Sequence, residues 1–299
     1  MAEQTALQQA QQQITELLEA AKKGSIIPIR LPGQIEAIAT LLEQATDEQR
    51  AAAAHKASVT LPTDAQALMH DTAEFFKVAI HDLRTPMTSI RGYSDMLANP
   101  GMGGALSEMQ AQLLQVIRAN SKRMESLLSD MSYMNKIRAD LLTVNPKMDM
   151  CKNILMMVEK RAKPLADELK RGLIFEVPSG LPLLNTDGEL LTHALYKLIE
   201  NGLRYSAEDT GKVTVTASAE GNLLTIKIVD NGIGMSPEDL AKLGTAFFRS
   251  DHDAVRAHKG SGLGVAIAYG IFEALSGEIS VESTVDIGTA FTMHMKGMS

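Results

Sequence analysis

A chain of 299 residues has room for about two or three domains, and 45% hydrophobic residues suffice to give each a core. A net charge of -7 leaves no electrostatic footprint for nucleic acid, and a single cysteine, Cys151, excludes a disulfide framework. With no run of about 18 apolar residues and no leader-like start, the composition predicts a soluble, cytoplasmic chain without a membrane segment.

Residues 1–60 are rich in Ala, Gln and Glu and helix-prone, interrupted at GSIIPIRLPG (Gly24–Gly33) between the stretches Ala6–Lys23 and Gln34–Ala57. Helix, short Pro/Gly connector and helix together resemble a HAMP-type relay module; a plain helical hairpin or coiled-coil leader fits the same pattern. The break VTLPTD offers Thr63 or Asp64 as the N-cap of the next helix. Over residues 61–142 the spacing predicts two long helices. Phe76, Ile80, Leu83, Met87, Ile90, Ser94 and Leu97 repeat every four and three residues. Beyond the Gly-rich NPGMGG, Leu113, Ile117, Asn120, Met124, Leu127, Met131 and Met134 do the same. An antiparallel hairpin of two such helices leaves half of its apolar stripe in water, which predicts a homodimer with a four-helix bundle. Asn120 within the seam is placed to fix register.

Residues 143–299 change to a mixed texture. LLTVNP reads as a short strand, Met150–Arg171 as a helix, LIFEVP as a strand and Asp187–Ser206 as a helix. KVTVTASAE and NLLTIKIVD form a hairpin around Gly221-Asn222. A helix near Gly264–Leu275 and the strands EISVES and TAFTMHM complete an α+β two-layer sandwich.

Three clusters carry chemistry here: LIENGLRYS (Leu198–Ser206), DNGIGM (Asp230–Met235) and KGSGLG (Lys259–Gly264). Each is a weak signal alone, since DNG is commonly a turn and a Gly-rich run before a helix is a generic phosphate cradle. Their order, with Asp230 29 residues after Asn201 and Gly260 30 beyond, resembles the nucleotide site of the GHKL (Bergerat) ATPase superfamily, in its histidine-kinase branch. The resemblance implies ATP and Mg²⁺ as cofactors. It assigns Mg²⁺ to the Asn201 side-chain oxygen and the adenine amino group to Asp230, with Gly232 and Gly234 beside the base. Gly260, Gly262, Leu263 and Gly264 then fall at the triphosphate and Thr289 in the last glycine motif. Arg204 and Tyr205 match basic and aromatic positions near phosphate and base. LGTAFFRSDHDAVRAHKG becomes a mobile lid, with Phe247 and Arg249 as its aromatic and basic elements; His258 and Lys259 lie within reach of phosphate. Three positions depart from the pattern: Lys197 replaces an asparagine, Gly244 a phenylalanine and Asp286 a glycine. Lys197 either contacts phosphate or weakens metal placement.

VAIHDLRTPMTSIRG (Val78–Gly92) now acquires a partner. Phe76, His81, Asp82, Leu83, Arg84, Thr85 and Pro86 match the phosphoacceptor motif of the same family. Ile80 and Leu83 occupy the seam, so His81 flanks it and faces solvent. A neutral imidazole is nucleophilic near pH 7, and Asp82 can take the proton from its other nitrogen. Thr85, one turn on, is assigned by the resemblance to hydrolysis of phosphoaspartate on a response regulator. Pro86 cannot donate to the Asp82 carbonyl and is expected to bend the helix. The family reading is a protein-histidine kinase whose regulator acts in trans. A nucleotide-binding dimeric scaffold and a phosphatase-dominant degenerate kinase are its rivals.

Overall fold

The structure, a computed structural model, describes residues 63–258 and 260–298, with helical positions at 9, 12–13, 15–16, 37–38 and 40. The HAMP-like reading of residues 1–60 therefore lies outside the described residues, as does Lys259. The chain divides into two compact units, Met1–Ala139 and Asp140–Ser299.

In the first unit α1 (Thr63–Ala98) and α3 (Glu108–Arg138) are joined through one short turn of helix, α2 (Pro100–Gly103). Asn99 caps α2 by accepting from the Gly101 N–H at 3.0 Å, and Ser107 caps α3 in a reciprocal box with Gln110. Thr63 and Asp64, expected as a cap, are themselves helical in α1. The cross-links run in opposite order along the two helices. Asn135 Nδ2 donates to the Ala73 carbonyl at 2.8 Å, Arg91 pairs with Glu125 at 2.7 Å, and Arg118 pairs with Asp95 at 2.9 Å. The helices are thus antiparallel, as the Gly-rich turn predicts. Ile80, Leu83 and Met87 of α1 are buried with Ile117, Met124, Leu127 and Met131 of α3, so the heptad stripe is the hairpin core. The stripe does not stay covered toward the turn. Leu97 is 52% exposed, and Tyr93, Met96, Met109 and Val116 are exposed beside it. Leu114 and Leu128, off the predicted seam, are buried.

The second unit carries a five-stranded sheet in the order β2-β4-β5-β7-β6, where β2 is Gly172–Glu176, β4 Lys212–Glu220, β5 Leu223–Asp230, β6 Glu278–Thr284 and β7 Gly288–Lys296. Only β2 and β4 run parallel. The helices α4 (Cys151–Glu168), α5 (Gly188–Tyr205) and α8 (Gly264–Ala274) form the other layer, with α5 packed against both neighbours. Strand alternation builds the core between the layers. Val213 and Val215 of β4, Ile226 and Ile228 of β5, and Phe291 and Met293 of β7 point to the helices, while Thr214, Thr216, Lys227 and Thr292 line the other face.

One strand is misplaced by the sequence reading. LLTVNP forms no regular element; the strand is the next four residues, β1 (Lys147–Met150), paired antiparallel with β3 (Leu183–Thr186). The Asn145 N–H is instead taken by Asp187 Oδ2 at 3.0 Å. The same carboxylate caps α5 by accepting from the Glu189 and Leu190 N–H groups. A two-stranded pairing between segments over 30 residues apart has no local signature, so β3 went unread. The short helices α6 (Pro237–Lys242) and α7 (Asp253–Ala257) also lacked a periodic signal.

Candidate functional site

On α1, which is unbroken through Pro86, the His81 side chain is 77% exposed and its Nδ1 lies 3.2 Å from Asp82 Oδ1. The neighbours Ile80, Leu83 and Pro86 are buried, so the seam fixes the helix and leaves the imidazole to solvent. With its proton on Nδ1 and directed to Asp82, the ring presents the Nε2 lone pair outward. Thr85 Oγ1 lies one turn on, donating to the His81 carbonyl at 3.4 Å, and Arg84 is exposed beside it.

In the second unit, the end of α5, the β5 terminus and the start of α8 supply the other candidates. Asp230 ends β5 with its Oδ1 fixed by two N–H donors, Gly232 at 2.9 Å and Thr289 at 3.2 Å. Its Oδ2 has no hydrogen-bond partner among the described residues. Burial holds the carboxyl above its usual range, against the lowering effect of the Gly232 and Thr289 N–H groups. One oxygen is positioned and the other is available to a ligand N–H. Gly234, at φ 62, lies so close to the Thr284 carbonyl that any side chain would collide with it. Asp286, in place of a glycine, has φ 61 and donates its N–H to the Ile233 carbonyl at 2.8 Å. Aspartate tolerates that left-handed conformation better than most residues.

Asn201 is half-buried on α5, and its amide has no hydrogen-bond partner among the described residues. An amide oxygen suits a hard cation that takes most of its ligands from phosphate and water, which is how Mg²⁺ is commonly held. No group of three or more His, Cys, Asp or Glu able to cage a metal exists among the described residues. Next to Asn201 on α5 stands Glu200, a carboxylate that the sequence reading did not assign. Glu200 Oε1 accepts from Arg204 at 2.8 and 3.2 Å, and Glu200 Oε2 lies 3.6 Å from Lys197 Nζ. Burial pushes the Glu200 carboxyl up, but Lys197 and Arg204 outweigh it and hold it below its ordinary value. Burial, then the charges of Lys197 and Arg161, lower the His193 imidazole to about 3.

The segment from Leu243 to Leu263 is braced from within. Phe247 is buried with φ 67, and its N–H donates to the Gly262 carbonyl at 3.0 Å. Arg249 donates to the carbonyls of Gly260 (2.9 Å), Val255 (2.6 Å) and His258. Through these bonds Arg249, the basic element expected in the lid, organises the loop. The His258 ring stands edge-on to Tyr205, 5.9 Å between centroids. At Gly244 a Cβ would meet the Tyr269 ring at 2.5 Å. The aromatic bulk expected at 244 is thus supplied from α8. Gly260 has open space where a side chain would project, and Gly264 opens α8. Leu263 is wholly buried as its N-terminal anchor.

Residues 71–140 match the model of the His Kinase A (phospho-acceptor) domain. Residues 186–297 match the histidine kinase-, DNA gyrase B- and HSP90-like ATPase. The ATPase model alone spans several kinds of machine; a phosphoacceptor hairpin preceding it in the same chain selects one. The chain belongs to the sensor histidine kinase family. Among sensor histidine kinases it is 28% identical over 232 residues to histidine protein kinase DivJ of Caulobacter vibrioides, covering 78% of this chain and 38% of the relative. To the autoinducer 2 sensor kinase/phosphatase LuxQ of Vibrio cholerae it is 26% identical over 286 residues, covering 94% of this chain and 32% of the relative. The chain therefore spans less than half the length of these curated relatives. Full-length ShkA, solved in complex with AMPPNP, shares the fold with a TM-score of 0.62 at 23% identity over 76% of this chain and 46% of that one. No helix among the described residues is long and apolar enough to cross a membrane.

Sequence reasoning on this sensor histidine kinase missed Glu200, the carboxylate between two cations. Its signal was present as spacing, with Lys197 three residues before and Arg204 four after, on one helix face. The Tyr269 contact with the lid had no such signal, because α8 and Gly244 meet only in three dimensions.

Proposed function

We propose that the chain phosphorylates itself on His81 with ATP and passes the phosphoryl group to an aspartate of a separate response regulator. The observation that carries this reading is the pairing, in one chain, of an exposed imidazole held at Nδ1 by Asp82 with an ATPase-type fold. In the first reaction His81 Nε2 bonds to the γ-phosphorus, the bond to the β–γ bridging oxygen breaks, and ADP departs. The Nδ1 proton is taken up by Asp82 as charge develops on the ring. Asp230 Oδ2 receives the adenine amino group, Tyr205 flanks the base, and Gly260, Gly262, Leu263 and Gly264 lie along the phosphates. Arg204, Arg249, Lys259 and Thr289 complete the nucleotide site. Mg²⁺, held by the Asn201 amide oxygen together with phosphate and water, supplies charge neutralisation to a transition state governed by positioning.

On this reading residues 1–60 relay the input, 61–142 dimerise and carry the phosphoacceptor, and 143–299 bind ATP, all in the cytoplasm. Arg84 and Thr85 belong to the surface that meets the regulator, where Thr85 orients water against its phosphoaspartate. Incubation with γ-labelled ATP tests the proposal. The label should be acid-labile, stable to base, absent from His81→Gln and transferable to a receiver domain. Label persisting in His81→Gln, or nucleotide binding with no label in the native protein, would overturn it.

A further inference from the structure

Lys197 sits on the inward face of α5 with 6% of its surface exposed, and none of the roles above uses it. A buried ammonium is costly to desolvate and persists only where its charge is answered. Its Nζ lies 3.6 Å from Glu200 Oε2, and the other Glu200 oxygen accepts from Arg204 at 2.8 Å. Two cations therefore share this carboxylate. The stem of Lys197 also runs beneath the opening of α8, where a Cβ on Gly264 would lie 3.8 Å from Lys197 Cδ. Gly264 ends the glycine run, and the first N–H groups of this 11-residue helix carry partial positive charge. His193, kept neutral by burial and by the charges of Lys197 and Arg161, adds no further positive charge.

An ammonium has three donors and no acceptor, so it cannot ligate a metal; it can only neutralise and hydrogen-bond an anion. We infer that Lys197 is a phosphate-binding residue of the nucleotide site, a built-in cation for the phosphate chain of nucleoside di- and triphosphates that relaxes the need for divalent metal. This rests on reading the glycine run as the phosphate cradle.

Calorimetric titration of the full chain with ADP, in Mg²⁺ and in EDTA, tests it, with adenosine as the probe that lacks phosphate. Native protein should lose less than about tenfold in ADP affinity when the metal is removed. Lys197→Asn should lose tenfold or more in EDTA and recover in Mg²⁺, with adenosine affinity unchanged. Lys197→Arg should behave as native. A native loss of tenfold or more in EDTA overturns the inference, as does a Lys197→Asn protein that matches native in EDTA. If Lys197→Asn fails to fold, the native metal ratio and Lys197→Arg still decide. Native protein that binds neither ADP nor adenosine in either condition would overturn the nucleotide-site reading itself, and the inference with it.

Discussion

Asp230 has one oxygen engaged by the fold and, on the proposed reading, one for a ligand, and its raised pKa makes that arrangement measurable. Burial disfavours the ionised form, so its cost to the folded state is absent below the unfolded pKa and fully present once pH exceeds the folded one. Asp230→Asn keeps an acceptor for the Gly232 and Thr289 N–H groups but, on the proposed reading, would turn an NH₂ toward the adenine amino group. It should melt at or above the native temperature at pH 7, an advantage that fades on acidification, while losing at least about tenfold in ADP affinity. His193 has the opposite pH dependence. Its pKa is depressed to about 3 by burial, Lys197 and Arg161, so the unfolded chain binds the extra proton first. Stability is complete above about pH 6.5 and falls by up to about 1.4 kcal/mol per pH unit on the way down toward 3. Thermal melts of native protein and His193→Gln between pH 7 and 5 should converge as pH falls. Parallel curves would remove His193 from the account.

At the scale of elements, the hairpin and the lid are stabilised in different ways. The hairpin is a buried apolar stripe with a few cross-links. Asn135→Ala, which removes the bond to the Ala73 carbonyl, should cost about 0.5–1.5 kcal/mol in chemical denaturation of the first unit. The lid buries Phe247 and Val255 and is held by carbonyls gathered on Arg249. Gly262, at φ 69 and with the Phe247 backbone 2.7 Å from where a Cβ would sit, has no room for a side chain. Gly262→Ala should expose the lid to proteolysis and weaken nucleotide binding by at least about tenfold, with the sheet still folded by circular dichroism. Arg249→Ala tests whether lid order and phosphate affinity fall together, as a residue serving both would require.

For the whole molecule, the informative surface is the apolar band near the hairpin turn. Tyr93, Met96, Leu97, Met109 and Val116 are exposed at the turn end of the helix pair. A second copy covering this band would complete the bundle that the heptads predict. Leu97→Glu should convert a dimer to monomer in sedimentation while leaving ADP binding by the second unit intact. A monomeric native protein would instead leave this band to another partner.

Much of this chain was readable from local pattern. Heptads gave the two long helices, alternation gave β4 to β7, and His81 with Asp82, Asn201, Asp230 and the glycine run gave the candidate chemistry in order. These signals are legible because periodicity and glycine conformation act within a few residues. Tertiary structure decided the rest, because it depends on groups that approach from distant parts of the sequence. It moved the first strand to Lys147–Met150 by pairing it with β3, and placed the Tyr269 ring against Gly244. It also turned Arg249 onto the lid carbonyls. In the same way Lys197, in the sequence a mere departure from a motif, became a buried cation under the first turn of α8, because burial and charge pairing exist only once the chain has folded.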